Sequence, residues 1–188
     1  MANFTRQAIK TTFLNLLRER PLNEISVKMI VENCGINRKS FYYHYRDIPD
    51  LIDEITAEGA DSILESIRTL TTAEDSVHEI VGAFQQNRQL ILNIYHSVER
   101  STFDRTLLKN CDRIMRAYVD AAAEGHPLRD DDRELLVRAY RCTCFGLISE
   151  WLLDGMRQDP TPALLRLCEL RRGTLAETID RGTDKKSV

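Results

Sequence analysis

Apolar residues recur along this chain every three or four positions and nowhere alternate at every second one. The pattern therefore predicts helices throughout and no strand. Ala8, Ile9, Thr12, Phe13, Leu16 and Leu17 share one stripe and predict a first helix over Thr5–Glu19. Pro21 stops it, because the residue before a proline is pushed out of the helical region. Ile30, Val31 and Cys34 then repeat at helical spacing, with Ser26 placed to cap the first turn. Gly35 follows where a left-handed backbone is needed, and apolar Ile36 plugs the gap between two short helices. Asn37 caps the next, from Arg38 to about Tyr45, in which Phe41 and Tyr45 lie four apart and share the core-facing side. Helix, glycine-bearing turn and second short helix make a helix-turn-helix.

The rest reads the same way. Asp47 caps a long fourth helix that tolerates Pro49 in its first turn and carries Leu51, Ile52, Ile55, Ile63, Leu64, Ile67 and Leu70 on one face. Gly59, near its middle, reads as a packing glycine. After Thr71-Thr72, Val77, Ile80, Val81, Phe84, Ile91, Leu92 and Tyr95 predict one fifth helix over Asp75–Tyr95. A sixth is expected over Phe103–Glu124, stopped by Gly125-His126-Pro127. A seventh spans Arg129–Met156, and a last one Pro162–Arg181. The fold class is all-α, with a disordered tail at 182–188 that holds Lys185 and Lys186.

Charge divides the chain unevenly. Residues 1–50 hold eight basic and five acidic side chains, a net +3, while the remainder is −6 within an overall −3. A basic end on an acidic body suits a protein that meets nucleic acid at one end only. No apolar run is long enough to cross a bilayer, and no apolar signal-peptide centre follows Arg6 and Lys10. Together with five irregularly spaced cysteines, this points to a reducing, cytoplasmic location.

The second helix of the motif has an unusual surface. The chain holds six Phe, six Tyr and one Trp, yet Phe41, Tyr42, Tyr43 and Tyr45 all fall within five positions. Arg38, Lys39 and Ser40 are residue types that reach base edges in a major groove. Tyrosine hydroxyls and helix N-termini bind phosphate oxygens, which suits Tyr42, His44 and, as a helper, Ser26. The bland alternative is a helical hairpin with a solvated basic side. Arg6 and Lys10 on the first helix can also reach phosphate, although plain solvation is the simpler role for either.

These residues resemble the DNA-binding head of TetR-family transcriptional regulators, in which a glycine, an apolar and a small polar residue lead into a recognition helix ending in an aromatic pair and His-aromatic. Here those positions are Gly35-Ile36-Asn37, Phe41-Tyr42 and His44-Tyr45. The resemblance covers roughly Thr5–Ile55. It departs at Ile48-Pro49, where family members commonly carry a phosphate-contacting lysine; Arg46 or Lys39 is the substitute. The resemblance implies a three-helix helix-turn-helix DNA-binding head over 1–46 and a larger helical ligand-binding and dimerisation body over 47–181. It further implies a homodimer on a palindromic double-stranded operator, with Lys28, Arg38, Lys39, Ser40 and Tyr43 toward bases and Ser26, Tyr42, His44 and Arg46 toward phosphates. The implied function is transcriptional repression relieved by a small apolar or amphipathic effector.

For the body, the resemblance implies a two-helix share of a four-helix dimer interface, for which Leu147, Trp151, Leu164, Leu167 and Leu170 are the candidates. Burial within one subunit is the competing reading. Phe84, Tyr95, His96, Met115, Tyr118, Tyr140 and Phe145 mix apolar bulk with hydroxyl and imidazole groups, as a ligand cavity would; ordinary core is the alternative. Cys142 and Cys144, two apart on a helix, point in different directions and cannot easily hold one metal ion together, so the cysteines, Cys111 and Cys168 included, read as small hydrophobes and no cofactor is expected. There is no nucleophile–base–acid set and no phosphate-cradling glycine loop, and Asp130-Asp131-Asp132 reads as a dipole-stabilised helix start, so no enzyme is expected. A protein-docking helix-turn-helix adaptor, without DNA binding, is the other functional class.

Overall fold

A computed structural model describes residues 2–68, 72–97, 100–126 and 128–183. Leu70, Thr71, Pro127, Lys185 and Lys186, singled out above, lie outside these. Ten α-helices follow one another among the described residues, with no strand: α1 Ala2–Glu19, α2 Val27–Cys34, α3 Arg38–His44, α4 Ile48–Arg68, α5 Ala73–Gln86, α6 Arg88–Tyr95, α7 Arg100–Ala122, α8 Asp130–Leu153, α9 Thr161–Leu170 and α10 Thr174–Thr183. A single 3₁₀ turn, Leu22–Glu24, follows Pro21 and buries Leu22. The chain packs as two units, one of Met1–Ser62 with Phe84–Thr106 and the other of Ile63–Ala83 with Leu107–Val188.

In the first unit the α1 stripe supplies the core: Ile9, Phe13 and Leu17 are wholly buried, as are Ile30 of α2, Phe41 of α3 and Leu51 of α4. The caps form where the side chains allow them. Ser26 accepts from the Met29 amide at 3.3 Å, Asn37 from the Ser40 amide at 2.9 Å and Asp47 from the Asp50 amide at 2.8 Å. Gly35 takes φ +68°, and the Ile36 amide reaches back to the Val31 carbonyl at 3.0 Å, which turns the chain sharply into α3. The carbonyl end of α1 is closed by α6, whose Asn93 amide nitrogen donates to the Leu17 carbonyl at 2.6 Å.

Two expected helices are each divided. The Asp75–Tyr95 prediction breaks at Asn87, whose amide turns back to the Phe84 carbonyl at 3.2 Å. The cause is visible in Gln85-Gln86-Asn87-Arg88-Gln89, an exposed polar run in which the apolar stripe lapses. The Pro162–Arg181 prediction breaks at Arg171-Arg172-Gly173, with Gly173 at φ +79°. In the second unit α7 and α8 run antiparallel, tied by Arg116–Glu134, by Arg133 to Asp120 at 2.7 Å and by Arg141 to Asp112 at 3.0 Å. Val119, Val137, Leu152 and Ile179 are its most deeply buried side chains.

Candidate nucleic-acid interface

Helix α3 is only seven residues long, too short to persist without packing. Phe41 and Tyr45 anchor it, at 0% and 2% exposure, while their neighbours Tyr42 and Tyr43 stand 56% and 80% exposed. Tyr42 meets Phe41 edge-on at 5.5 Å, and Tyr43 meets His44 edge-on at 5.0 Å, so the exposed rings are braced in orientation. Helical geometry turns Lys39 and Tyr43 away from the face that Phe41 and Tyr45 bury, and Arg38 is exposed at the first position of the helix.

Four cations of the head fall into two groups. Arg38 and Lys39 are exposed and make no ion pair within the described residues. Arg6 and Lys10 are committed elsewhere: Arg6 hydrogen-bonds Glu54 of α4, and Lys10, 8% exposed, bonds Glu58 at 2.5 Å and lies 3.3 Å from Glu54. The plain solvation read for these two is thereby corrected for Lys10, and both cations are paired with carboxylates inside the unit. Glu54 was not anticipated. It also accepts from the Tyr45 hydroxyl at 3.1 Å, so one carboxylate locks α1, α3 and α4 together. Burial pushes its carboxyl up, but the bonds from Arg6, Lys10 and Tyr45 outweigh that and hold it below the ordinary value. The Tyr45 hydroxyl is pushed up to about 12, mainly by burial. The i,i+4 spacing of Arg6 with Lys10 and of Glu54 with Glu58 was the available signal, two matched faces on different helices.

The other candidates lie around α3 with different degrees of freedom. Lys28 is exposed and loosely paired with Glu32 at 3.8 Å. Arg46 bonds Asp50 at 3.1 Å, and the Asp50 carboxyl is held low first by the Arg46 amide and then by its guanidinium. Ser26 uses its oxygen as a cap acceptor, which leaves its hydroxyl proton to donate. Ser40 is half-buried, and its hydroxyl donates to Asn37 at 3.1 Å. His44 and Ile48 are half-buried. Cys34, read as core, is half-buried with its thiol 3.5 Å from the Ala8 carbonyl.

The body candidates divide between the units. Tyr95 is buried against Phe103 at 5.6 Å in the first unit, with Phe84 half-buried and His96 exposed. In the second unit Tyr118 and Tyr140 meet edge-on at 5.7 Å, Arg171 covers the Tyr140 ring at 4.7 Å, and Met115 and Phe145 are half-buried. Trp151 is 9% exposed and donates to the Gln158 carbonyl at 2.8 Å. Leu164 and Leu167 are half-buried, Leu147 is 37% exposed and Leu170 is 66% exposed. Among the described residues no group of His, Cys, Asp and Glu is arranged to hold a metal ion, and no helix is long and apolar enough to cross a membrane.

The described residues thus present a braced helix-turn-helix within an all-helical fold. Residues 71–173 match the TetR-type family described as "transcriptional regulator C-terminal region", and the chain belongs to the TetR family of transcriptional regulators. Among solved structures it is similar to the dihydroxyacetone kinase operon activator DhaS, with a TM-score of 0.64 and 14% identity over 95% of this chain and 98% of that one. At that identity the likeness is one of fold. It also aligns with NalD of Pseudomonas aeruginosa, the secondary repressor of the MexAB-OprM multidrug efflux pump, with a TM-score of 0.47 and 17% identity over 96% and 97%.

Proposed function

We propose that this regulator is a cytoplasmic, non-enzymatic repressor that binds a palindromic operator as a homodimer and leaves it when a small apolar or amphipathic effector binds. The observation that carries the DNA reading is the pair of unneutralised cations, Arg38 and Lys39, beside an 80% exposed Tyr43 on a helix anchored from behind by Phe41 and Tyr45. Residues 1–46 form the DNA-binding part, with Arg38, Lys39, Ser40, Tyr43 and Lys28 toward bases. Ser26, Tyr42, His44 and Arg46 contact phosphates, and 47–181 serve dimerisation and effector binding. A two-fold dimer sets its recognition helices about 34–36 Å apart, one duplex turn, so that two short helices add their affinity.

Support for self-association is the apolar exposure of α8 and α9. Helix α9 has no buried residue, and Leu153 and Leu170 are 63% and 66% exposed. For the effector, the support lies in Tyr118 and Tyr140, whose rings and hydroxyls combine apolar area with hydrogen-bonding capacity.

Selection of bound sequences from a random DNA pool should return a palindrome, and its affinity should fall steeply with salt as counterions are released. On the selected site, Arg38→Ala should cost ~1–3 kcal/mol and relax base preference at one position per half-site. An equal loss on random DNA would contradict base reading.

A further inference from the structure

Arg171 closes α9, its amide turned back to the Leu167 carbonyl at 3.1 Å, and its side chain reaches α8. The guanidinium carbon lies over the Tyr140 ring, 4.7 Å from its centre, and that ring meets Tyr118 of α7 edge-on at 5.7 Å. Three segments of the second unit bring one cation and two phenols together. What sets Arg171 apart is its lack of a counter-charge. Arg116, Arg133 and Arg141, half-buried like it, each face an aspartate or glutamate. Its neighbours Arg166 and Arg172 are paired with Glu169 and Glu74. Arg171 makes no ion pair among the described residues, and neither tyrosine hydroxyl has a hydrogen-bond partner among them.

A half-buried cation without a counter-charge gives up part of its hydration with little in return. The negative face of the Tyr140 ring offsets some of that cost. The ring covers one side of the guanidinium and leaves its N–H groups, which solvent still reaches, for another acceptor. A carboxylate matches the guanidinium fork with two parallel hydrogen bonds. Tyr118, 44% exposed, adds ring surface and a hydroxyl whose pKa burial pushes up, so that it stays protonated and able to donate. Met115, half-buried one turn earlier on α7, extends the apolar side. The charge count selects a monoanion: Arg171 balances one unit of charge, and the next cation, Arg172, is held by Glu74 at 3.1 Å.

We propose that Arg171, Tyr118 and Tyr140 form a binding site for a small aromatic carboxylate, with the carboxylate on Arg171 and the ligand ring against Tyr118. The proposal rests on the reading of this chain as effector-responsive, and it gives that effector a charge and a shape. A neutral apolar ligand leaves the Arg171 charge uncompensated, so the site discriminates by charge. An aromatic body gains an edge or offset contact with Tyr118 beyond the area it buries.

The test is calorimetric titration of the full-length chain, without DNA, with 2-naphthoate and with its neutral counterpart 2-naphthamide. Naphthoate should saturate one site per chain, and naphthamide should bind about tenfold more weakly or worse, because it forfeits a charge-assisted pair. Arg171→Gln should abolish that preference. Arg171→Lys should fall between the two, since an ammonium keeps the charge and loses the fork. Arg166→Gln, the same change of charge on α9, should bind naphthoate as the wild type does. Circular dichroism establishes that each variant is folded. Naphthamide bound as tightly as naphthoate would overturn the carboxylate site while sparing an apolar effector. No saturable naphthoate binding, or an equal loss in Arg171→Gln and Arg166→Gln, would overturn it too. Naphthoate bound through Arg171 without weakening the complex with operator DNA would support the site and break the effector reading instead.

Discussion

Two short helices of this chain put their side chains to opposite use. Helix α3, seven residues long, sinks Phe41 and Tyr45 completely and turns cations and two tyrosines outward. Helix α9, ten residues long and rich in leucine, has no buried residue, and Leu170 stands 66% exposed. In the first unit Phe41 and Tyr45 fasten α3 within one chain, and what α3 leaves outside is Arg38, Lys39 and the rings of Tyr42 and Tyr43. On α9 the apolar area exceeds what its own unit covers, and covering it would gain roughly 1.5–3 kcal/mol for each leucine fully buried. A polar edge over a finished core fits a nucleic-acid contact, whereas an apolar edge over an unfinished one fits a second copy of the same chain.

The sharpest way to break this comparison is to attack the finished core. Phe41→Ala should cost about 3–5 kcal/mol in urea unfolding, since a wholly buried ring is lost with little room to collapse. DNA binding should go with it. A loss below ~1 kcal/mol would mean that α3 is not held as tightly as its burial implies.

Next in size is the carboxylate that ties three helices. Glu54→Gln should cost ~1.5–3 kcal/mol at neutral pH, because Lys10 and Tyr45 stay largely buried with a weaker acceptor. The wild-type carboxyl is held below its ordinary value of 4.5, so its contribution is present above that pH and is lost as pH falls through the depressed value. Wild type and variant should therefore converge in stability on acidification, and parallel pH profiles would remove Glu54 from the network.

On the unfinished side, Leu170→Glu should leave the fold intact and weaken self-association roughly tenfold or more by sedimentation, about 1.4 kcal/mol. An unchanged dimer constant would place the interface elsewhere. The smallest stability effect is expected at Tyr43→Ala, within ~0.5 kcal/mol, because the ring is 80% exposed. Affinity for the selected operator should nonetheless drop, and a variant that loses neither would strip α3 of its proposed reading edge.

Local features were the legible ones. Ser26, Asn37, Gly35 and Asp47 announced their caps and turn because those effects act over three or four residues, and the Phe41–Tyr45 pair revealed its inward face by spacing alone. The breaks at Asn87 and Gly173 were harder to see. Apolar residues resume on both sides of each, so a window reads one helix where the chain makes two. The fate of Arg6 and Lys10 was illegible locally, because their partner lies 48 and 44 residues away in Glu54.

By itself, then, the order of residues determined the helices, their caps, the polarity of each face and the position of the helix-turn-helix, since all of these depend on neighbours within a turn or two. Only the tertiary structure decided which charges are spent and which are free. Arg6 and Arg38 are the same side chain on equally plain helices, yet one faces a carboxylate and the other faces solvent. That choice depends on which distant segment packs alongside, and the free energy of such pairing belongs to the assembled fold and not to either segment alone.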